Sequence, residues 1–437
     1  MHLFARFPYL GSAACADLVA SLVPTSGRSK LARSFAERAG TIEHVAAWSR
    51  EHRSSDGPLL WMHAPSVGEG LMARPVLDHA RRVTPSMQQA YTWFSPSATR
   101  FAGSLAVDVS GMLPFDTPGN AEAMLDALRP SLVAFTRADV WPVLTEHVAR
   151  RQVPVALVSA ALSAGSSRGL WSRWILADAY GALDVVGAVD DADAERLVAL
   201  GARRDRVHVT GDTRYDQVLA RAMQADRTGV LLTPLDAGSE ERPWVVAGST
   251  WPADEAVLFD AWQRLARAGR GARLLVAPHE PTEAHCRPIE QWAAGAGLAL
   301  ARLGAPAVRD ADVVLVDRVG VLGDLYAVAS VAYVGGGFHG AGLHSVVEPA
   351  AFGVPVLVGP HGMRSRDALR LINAGGASRV ADADALFDAL RAALADRAAT
   401  VERGASARAV VEAGRGATLR TWALLEPLLA SRAVRMP

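Results

Sequence analysis

"VAYVGGGFHGAGLHSVVEPAAFGVPVLVGP", residues 331–360, holds the change of rhythm on which the fold turns. An apolar run ends at Val334, glycines follow at 335, 336, 337, 340 and 342, a helical stretch starts near Ser345, and a second apolar run closes the unit. Strand, glycine loop, helix and strand in this order make a βαβ unit, whose two strands are parallel because the helix carries the chain back along the sheet. Glycine at such a turn admits close backbone approach, and the free N–H groups of a helix start favour an anion. The pattern points to a nucleotide or another phosphorylated ligand.

The same rhythm extends in both directions. Upstream of the glycine loop stand "WVVAGST" (244–250), "RLLVAPH" (273–279) and "DVVLVD" (312–317), spaced by helical stretches. Further back come "PLLWMHA" (58–64), "QQAYTWF" (88–94), "SLVAFT" (131–136), "VPVALVSA" (153–160), "DVVGAV" (184–189) and "RVHVTGD" (206–212). Short apolar strands alternating with helices predict an α/β protein with parallel sheets covered on both faces. Between Asp216 and Arg242 the rhythm lapses into one helical stretch and a Gly, Pro and acidic loop. The expected organisation is therefore an amino-terminal domain over 1–215, a linker over 216–242 and a carboxyl-terminal domain over 243–437, whose Ala- and Arg-rich end packs as helices.

Composition agrees and narrows the partners. A chain of 437 residues exceeds one ordinary core, and 50% apolar with 21% charged residues is a globular profile. Lys plus Arg and Asp plus Glu are both 45, so no net positive field draws nucleic acid. Cys15 and Cys286, far apart, suggest neither a disulfide framework nor a zinc site, and so point to a reducing compartment. The apolar-leaning segment 1–24 is broken by Arg6, Pro8 and Asp17, which argues against a membrane span and leaves contact with a membrane surface open.

Several residues are candidates for chemistry. The glycine loop lacks the position and the distal acid of a dinucleotide fingerprint, and no G-x-x-x-x-G-K-[ST] pattern occurs, so dehydrogenases and P-loop NTPases are set aside. Glu348 stands three residues after Ser345, which allows either a capping box or an acceptor for ribose hydroxyls. In "WMHAPSVGEG" (61–70), Glu69 lies between Gly68 and Gly70, as an exposed turn residue or a carboxylate offered to a substrate. In "TRADVWP" (136–142), Asp139 occupies a similar edge, with a helix N-cap as the alternative. His63, His344 and His361 stand near Gly- or Pro-rich turns, where structural and catalytic roles are both open.

These segments, together with "LPFDTPGN", "GDTRYD", "VAGSTWPADE", "LLVAPHEP" and "RLINAGGA", are collinear with the Kdo transferases, and the chain resembles that family over roughly residues 59–380. Members move 3-deoxy-D-manno-oct-2-ulosonic acid (Kdo) from CMP-Kdo onto a lipid A precursor. The resemblance implies a GT-B fold: two Rossmann-like domains facing a cleft, with acceptor bound mainly by the first and donor nucleotide by the second. It implies inversion at the anomeric carbon with no metal and no cofactor, CMP-Kdo being a substrate. By the same resemblance Glu69 is the base, Asp139 falls on the acid of an E-L-W-P motif, and Glu348 is the ribose-side glutamate. Ser66 and Gly68 fall on the acceptor side, with Gly68 and Gly70 leaving room for the acceptor. Gly335, Gly336, Gly337, His344, Ser345, His279 and Arg214 fall on the donor side, Arg364 and Arg366 being further partners for the Kdo carboxylate and phosphate. The loop N–H groups are expected to stabilise the leaving phosphate. The implied place is the cytoplasmic face of the inner membrane, held peripherally. Three positions depart from the pattern: Asp139 is one methylene shorter than the usual glutamate, Ser345 replaces an asparagine, and His279 replaces an arginine. A different acceptor, an epimerase, or a silent sugar-nucleotide-binding protein are the competing readings on the same fold.

Overall fold

The structure, a computed structural model, describes the chain except residues 1–2, 23–34, 36, 39, 55–56, 163–169, 237–240, 270, 341 and 434–437. Parts of the expected membrane-surface segment, linker, glycine loop and carboxyl-terminal end therefore lie outside the described residues. The chain divides into two compact units, Met1–Gln217 with Gly416–Pro437, and Val218–Arg415.

In the first unit seven strands form one parallel sheet: β1 Leu59–His63, β2 Gln88–Trp93, β3 Val109–Met112, β4 Leu132–Thr136, β5 Val155–Ala160, β6 Val185–Ala188 and β7 Val207–Val209, in the order β3-β2-β1-β4-β5-β6-β7. β1, β4 and β5 are buried at every residue, which is why they read as unbroken apolar runs instead of alternating ones. The second unit repeats the plan with β8 Trp244–Thr250, β9 Arg273–Pro278, β10 Leu300–Arg302, β11 Val313–Leu315, β12 Ala329–Val334, β13 Val356–Val358 and β14 Ala377–Arg379, in the order β10-β11-β9-β8-β12-β13-β14. In each sheet the direction of winding reverses once, between β1 and β4 and between β8 and β12. At such a reversal the crossovers leave to opposite faces, and ligands of open α/β sheets generally bind beyond the carboxyl ends of those strands.

The domain boundaries differ from the expected ones at the carboxyl end. The helices Ala383–Ala395 and Arg397–Ala413 stay with the second unit, but the helix Ala417–Ala433 belongs to the first. Trp422, Leu425 and Leu429 join the core that holds Val76, Leu77 and Ala80, and Trp422 meets the His79 ring edge-on at 5.5 Å. Asp216 fixes the start of this helix by accepting from Gly416 N and Thr418 N, both at 2.6 Å. The stretch read as a linker starts within the helix Arg214–Gln224 and has a second short helix, Thr233–Asp236. Apolar periodicity shows that a helix has a buried face; it does not say which sheet that face covers.

The amino-terminal helix Leu3–Leu22 belongs to the first unit, and three of its polar side chains bond to that unit. Tyr9 Oη donates to Asp116 Oδ2 at 2.7 Å, Asn120 Nδ2 to Asp17 Oδ1 at 2.9 Å and Arg6 Nη2 to Glu146 Oε1 at 3.2 Å. Among the described residues no helix is long and apolar enough to cross a membrane.

Candidate active site

In the first unit the polar groups gather where the winding reverses. β1 ends at His63, the chain turns through Pro65, and the helix Val67–Val83 starts after its cap residue Ser66. Glu69 is thus in the first helical turn, where the helix dipole favours a carboxylate. It is 8% exposed, so it is not an open turn residue. Its Oε2 accepts from the Ser66 hydroxyl and its Oε1 from Arg137 Nη1 at 2.8 Å. Arg137, half-exposed just past β4, adopts a left-handed φ of 63°. Sequence reading passed over Arg137, although it stands in the same "TRADVWP" as Asp139.

The two glycines around Glu69 have different reasons. Gly68 is exposed, and a Cβ there would meet nothing closer than Ser66 Oγ at 3.8 Å. At Gly70 a Cβ would overlap the Phe101 ring and come within 2.9 Å of Tyr91 Oη. Gly68 thus faces open space, while the expectation of acceptor room is corrected at Gly70, which makes way for a packed aromatic ring.

Asp139 is 32% exposed and does not cap a helix: the following helix, Pro142–Arg150, is capped at Trp141. The donors of that helix's first turn, Val143 N and Leu144 N, go to Asp116 at 2.9 and 2.8 Å, so "LPFDTPGN" supplies the capping carboxylate. Asp139 Oδ2 instead accepts from Trp141 Nε1 at 3.0 Å and lies 3.3 Å from Nε2 of the wholly buried His63. Arg214 is also in the first unit, its guanidinium bound to Asp212, with Nη2 to Oδ2 at 2.6 Å.

In the second unit the glycine loop follows β12 at the equivalent reversal, and part of it closes on the protein itself. Gly335 N donates to Gly248 O at 2.9 Å, while Gly336 N and Phe338 N donate to the two oxygens of Asp254 at 2.7 and 3.0 Å. Asp254 is wholly buried and accepts also from Trp251 N at 3.1 Å and Tyr333 Oη at 3.3 Å. Its carboxylate holds two of the loop donors that were expected to face a phosphate, those of Gly336 and Phe338. Gly335 and Gly337 are glycines because a Cβ would come within 2.7 Å of Thr250 Cα and 2.6 Å of Gly359 Cα. Gly336 needs its φ of 85°.

Beyond the loop the structure collects rings that the sequence keeps far apart. Trp251 is stacked between His279, at 4.5 Å, and His339, at 4.3 Å, and its Nε1 lies 3.3 Å from His344 Nε2. His279 and His344 are 4.4 Å apart. Burial, reinforced by His279, lowers the His344 pKa to about 4, which keeps its Nε2 an acceptor for the indole; burial lowers that of His279 as well. The helix after the loop is Val347–Ala351 and its cap is Val346, so Ser345 falls outside and the capping box does not form. Pro349 sits in the first turn, where its missing N–H costs nothing. Half-buried Glu348 lies near Arg221, whose pKa is raised by its bond to Asp324 and further by Glu348. Arg364 is exposed and Arg366 half-buried, flanking Ser365, the cap of the helix Arg366–Asn373.

Two Rossmann-like units, one carrying a carboxylate at its winding reversal and the other a glycine loop at its own, define the GT-B class. The fold is shared with a glycosyltransferase from Rickettsia africae ESF-5, 12% identical with a TM-score of 0.57 over 87% of this chain and 100% of that one. Residues 33–217 match the family described as 3-deoxy-D-manno-octulosonic-acid transferase (kdotransferase). The chain is 33% identical over 401 residues to the 3-deoxy-D-manno-octulosonic acid transferase of Bordetella pertussis, covering 88% of this chain and 91% of the relative. To that of Haemophilus influenzae it is 25% identical, covering 85% and 87%. The chain belongs to the 3-deoxy-D-manno-octulosonic acid transferase family.

Proposed function

We propose that the chain transfers Kdo from CMP-Kdo to a sugar hydroxyl of a lipid A precursor of the lipid IVA type, with inversion and without a metal, in lipopolysaccharide biosynthesis. Family membership supports the donor and the reaction, and the observation that carries the mechanism is Glu69. Its Ser66 and Arg137 contacts take one site on each oxygen, and a carboxylate has about four, so acceptor capacity remains. In the step, Glu69 takes the proton of the acceptor hydroxyl as that oxygen bonds to the anomeric carbon. The bond from that carbon to the CMP phosphate breaks, and CMP leaves with the electron pair. Help of this kind is worth ~10²–10⁴-fold for a weak nucleophile.

With Gly336 N and Phe338 N held by Asp254, side chains share the charge on the leaving phosphate and on the Kdo carboxylate. Arg364 and Arg366 are the candidates in the second unit, with Glu348 for the ribose hydroxyls.

The acceptor is a lipid, and the helix Leu3–Leu22 supports peripheral attachment at the cytoplasmic face of the inner membrane. Phe7 and Leu18 are 71% and 61% exposed, and Val19 is exposed beside them, while Arg6 and Asp17 are tied inward. An outward face of this kind, apolar and without charge at its described positions, fits the boundary between headgroups and acyl chains.

Mass spectrometry of the full chain with CMP-Kdo and a tetra-acylated lipid A precursor tests the reading. The expected result is one or more Kdo units gained by the lipid, with CMP released only when the lipid is present. Release without transfer, or no turnover at all, overturns it.

A further inference from the structure

His63 is the last residue of β1, in register with Thr92 on β2 and Phe135 on β4, and two residues from Trp61 on the same face. Parallel pairing at this register stacks Trp61, Thr92 and His63 into a line of buried polar atoms. Trp61 Nε1 lies 2.9 Å from Thr92 Oγ1, and Thr92 Oγ1 lies 3.0 Å from His63 Nδ1. Beyond the ring, Nε2 is 3.3 Å from Asp139 Oδ2.

The direction of this line follows from donor inventory. An indole N–H only donates, so Thr92 Oγ1 accepts from Trp61 and its own hydrogen is left for His63 Nδ1. The ring hydrogen is then on Nε2, which lies 3.3 Å from Asp139 Oδ2. With the hydrogen on Nδ1, the Thr92 hydroxyl hydrogen would have no acceptor among the described residues. Trp141 Nε1 is placed to donate to His63 Nε2 at 3.2 Å or to Asp139 Oδ2 at 3.0 Å, and with the ring hydrogen on Nε2 the bond to Asp139 is the one made. Edge-on contacts with Phe135 and Trp141 keep the ring from turning. Asp139 Oδ2 thus accepts from Trp141 Nε1 and lies 3.3 Å from His63 Nε2, while among the described residues no hydrogen bond reaches Oδ1.

We propose that His63 is a positioning residue, held as its Nε2–H tautomer by Trp61 through Thr92, which fixes Asp139 Oδ2 so that Oδ1 alone is offered to a substrate hydroxyl. A carboxylate one methylene shorter than glutamate has a shorter reach, and locking one oxygen sets where the other points. The proposal rests on the transferase reading for its activity readout and is independent of it for its spectroscopic one.

Both readouts use the full chain. In ¹⁵N spectra of histidine-labelled protein, with the His63 signals identified by their loss in His63→Gln, the expected pattern is an unprotonated Nδ1 and a protonated Nε2. The opposite tautomer, or an imidazolium at neutral pH, overturns the proposal even if the protein transfers no Kdo. In the Kdo transfer assay, His63→Leu is expected to lose on the order of 10- to 100-fold in kcat with little change in KM for CMP-Kdo, as for a slightly misplaced group. His63→Gln, whose amide N–H reaches toward Asp139, should restore most of that loss. Equal losses in the two variants at matched thermal stability, or wild-type kcat in His63→Leu, overturn the proposal. Should His63→Leu not fold, the wild-type tautomer and the Gln variant decide.

Discussion

Glu69 and Asp254 occupy like places in two like sheets, each in the first turn of the helix that follows the first strand, and they serve opposite ends. Glu69 has one side-chain donor per oxygen, one of them the half-exposed Arg137. Asp254 accepts from three backbone N–H groups and a tyrosine, is wholly buried, and ties the glycine loop to β8. A carboxylate at a winding reversal is therefore not a site by position alone. What separates the two is whether the protein's own donors already fill its acceptor capacity.

The largest effect expected from this contrast is structural. Asp254→Ala leaves three backbone N–H groups without their acceptor and should lower stability by about 3–5 kcal/mol, read by chemical denaturation. A loss under about 1 kcal/mol would break the comparison, since the loop donors would then be free to serve a ligand.

Glu69→Gln keeps shape and removes the base. Kdo transfer should fall at least ~10²-fold, about 2.7 kcal/mol in barrier, with CMP affinity by calorimetry nearly unchanged. Transfer at the wild-type rate would remove Glu69 from the mechanism and make Asp139 the next residue to test.

The glycines around Glu69 sharpen the contrast at lower amplitude. Gly70→Ala drives a methyl into Phe101 and should cost about 1–3 kcal/mol, whereas Gly68→Ala meets open space and should stay within about 0.5 kcal/mol. Thermal melts that rank the two the other way would contradict the packing described. If acceptor room is needed, Gly68→Ala should instead raise KM for the lipid.

The smallest effect is graded in pH and confined to the second unit. His344 has its pKa lowered from 6.5 to about 4, so between those values the unfolded chain binds a proton that the folded chain does not. Its contribution is complete above pH 6.5, declines as pH falls toward 4, and changes no further below that. His344→Gln should flatten that part of the melting temperature against pH profile, and an unchanged slope would show that the imidazole is not held neutral.

Legibility followed burial. β1, β4, β5, β8, β9 and β12 announce themselves because burial on both faces favours apolar residues over most of their length, with a polar residue only near an end. β3, β10 and β14 escaped, and each is a three- or four-residue edge strand paired on one side only, whose "VSGM", "LAR" and "ASR" carry no such demand. Among site residues, Glu69 and Asp139 were visible as acids at strand ends. Arg137, Thr92, Trp141, Asp254 and His339 were not, since each acts through a partner distant in sequence or on another strand.

By itself the sequence determined the fold class, the family and the two chain positions at which polar groups emerge, because strand length, apolar continuity and glycine placement are local and each forces a local conformation. Only the tertiary structure decided that Glu69 is buried against Ser66 and Arg137, that the glycine loop closes on Asp254, that Ser345 misses the helix cap, and that the last helix returns to the first unit. Those outcomes depend on which groups meet across long stretches of chain. A donor's partner is set by strand register and sheet order, which no single segment contains.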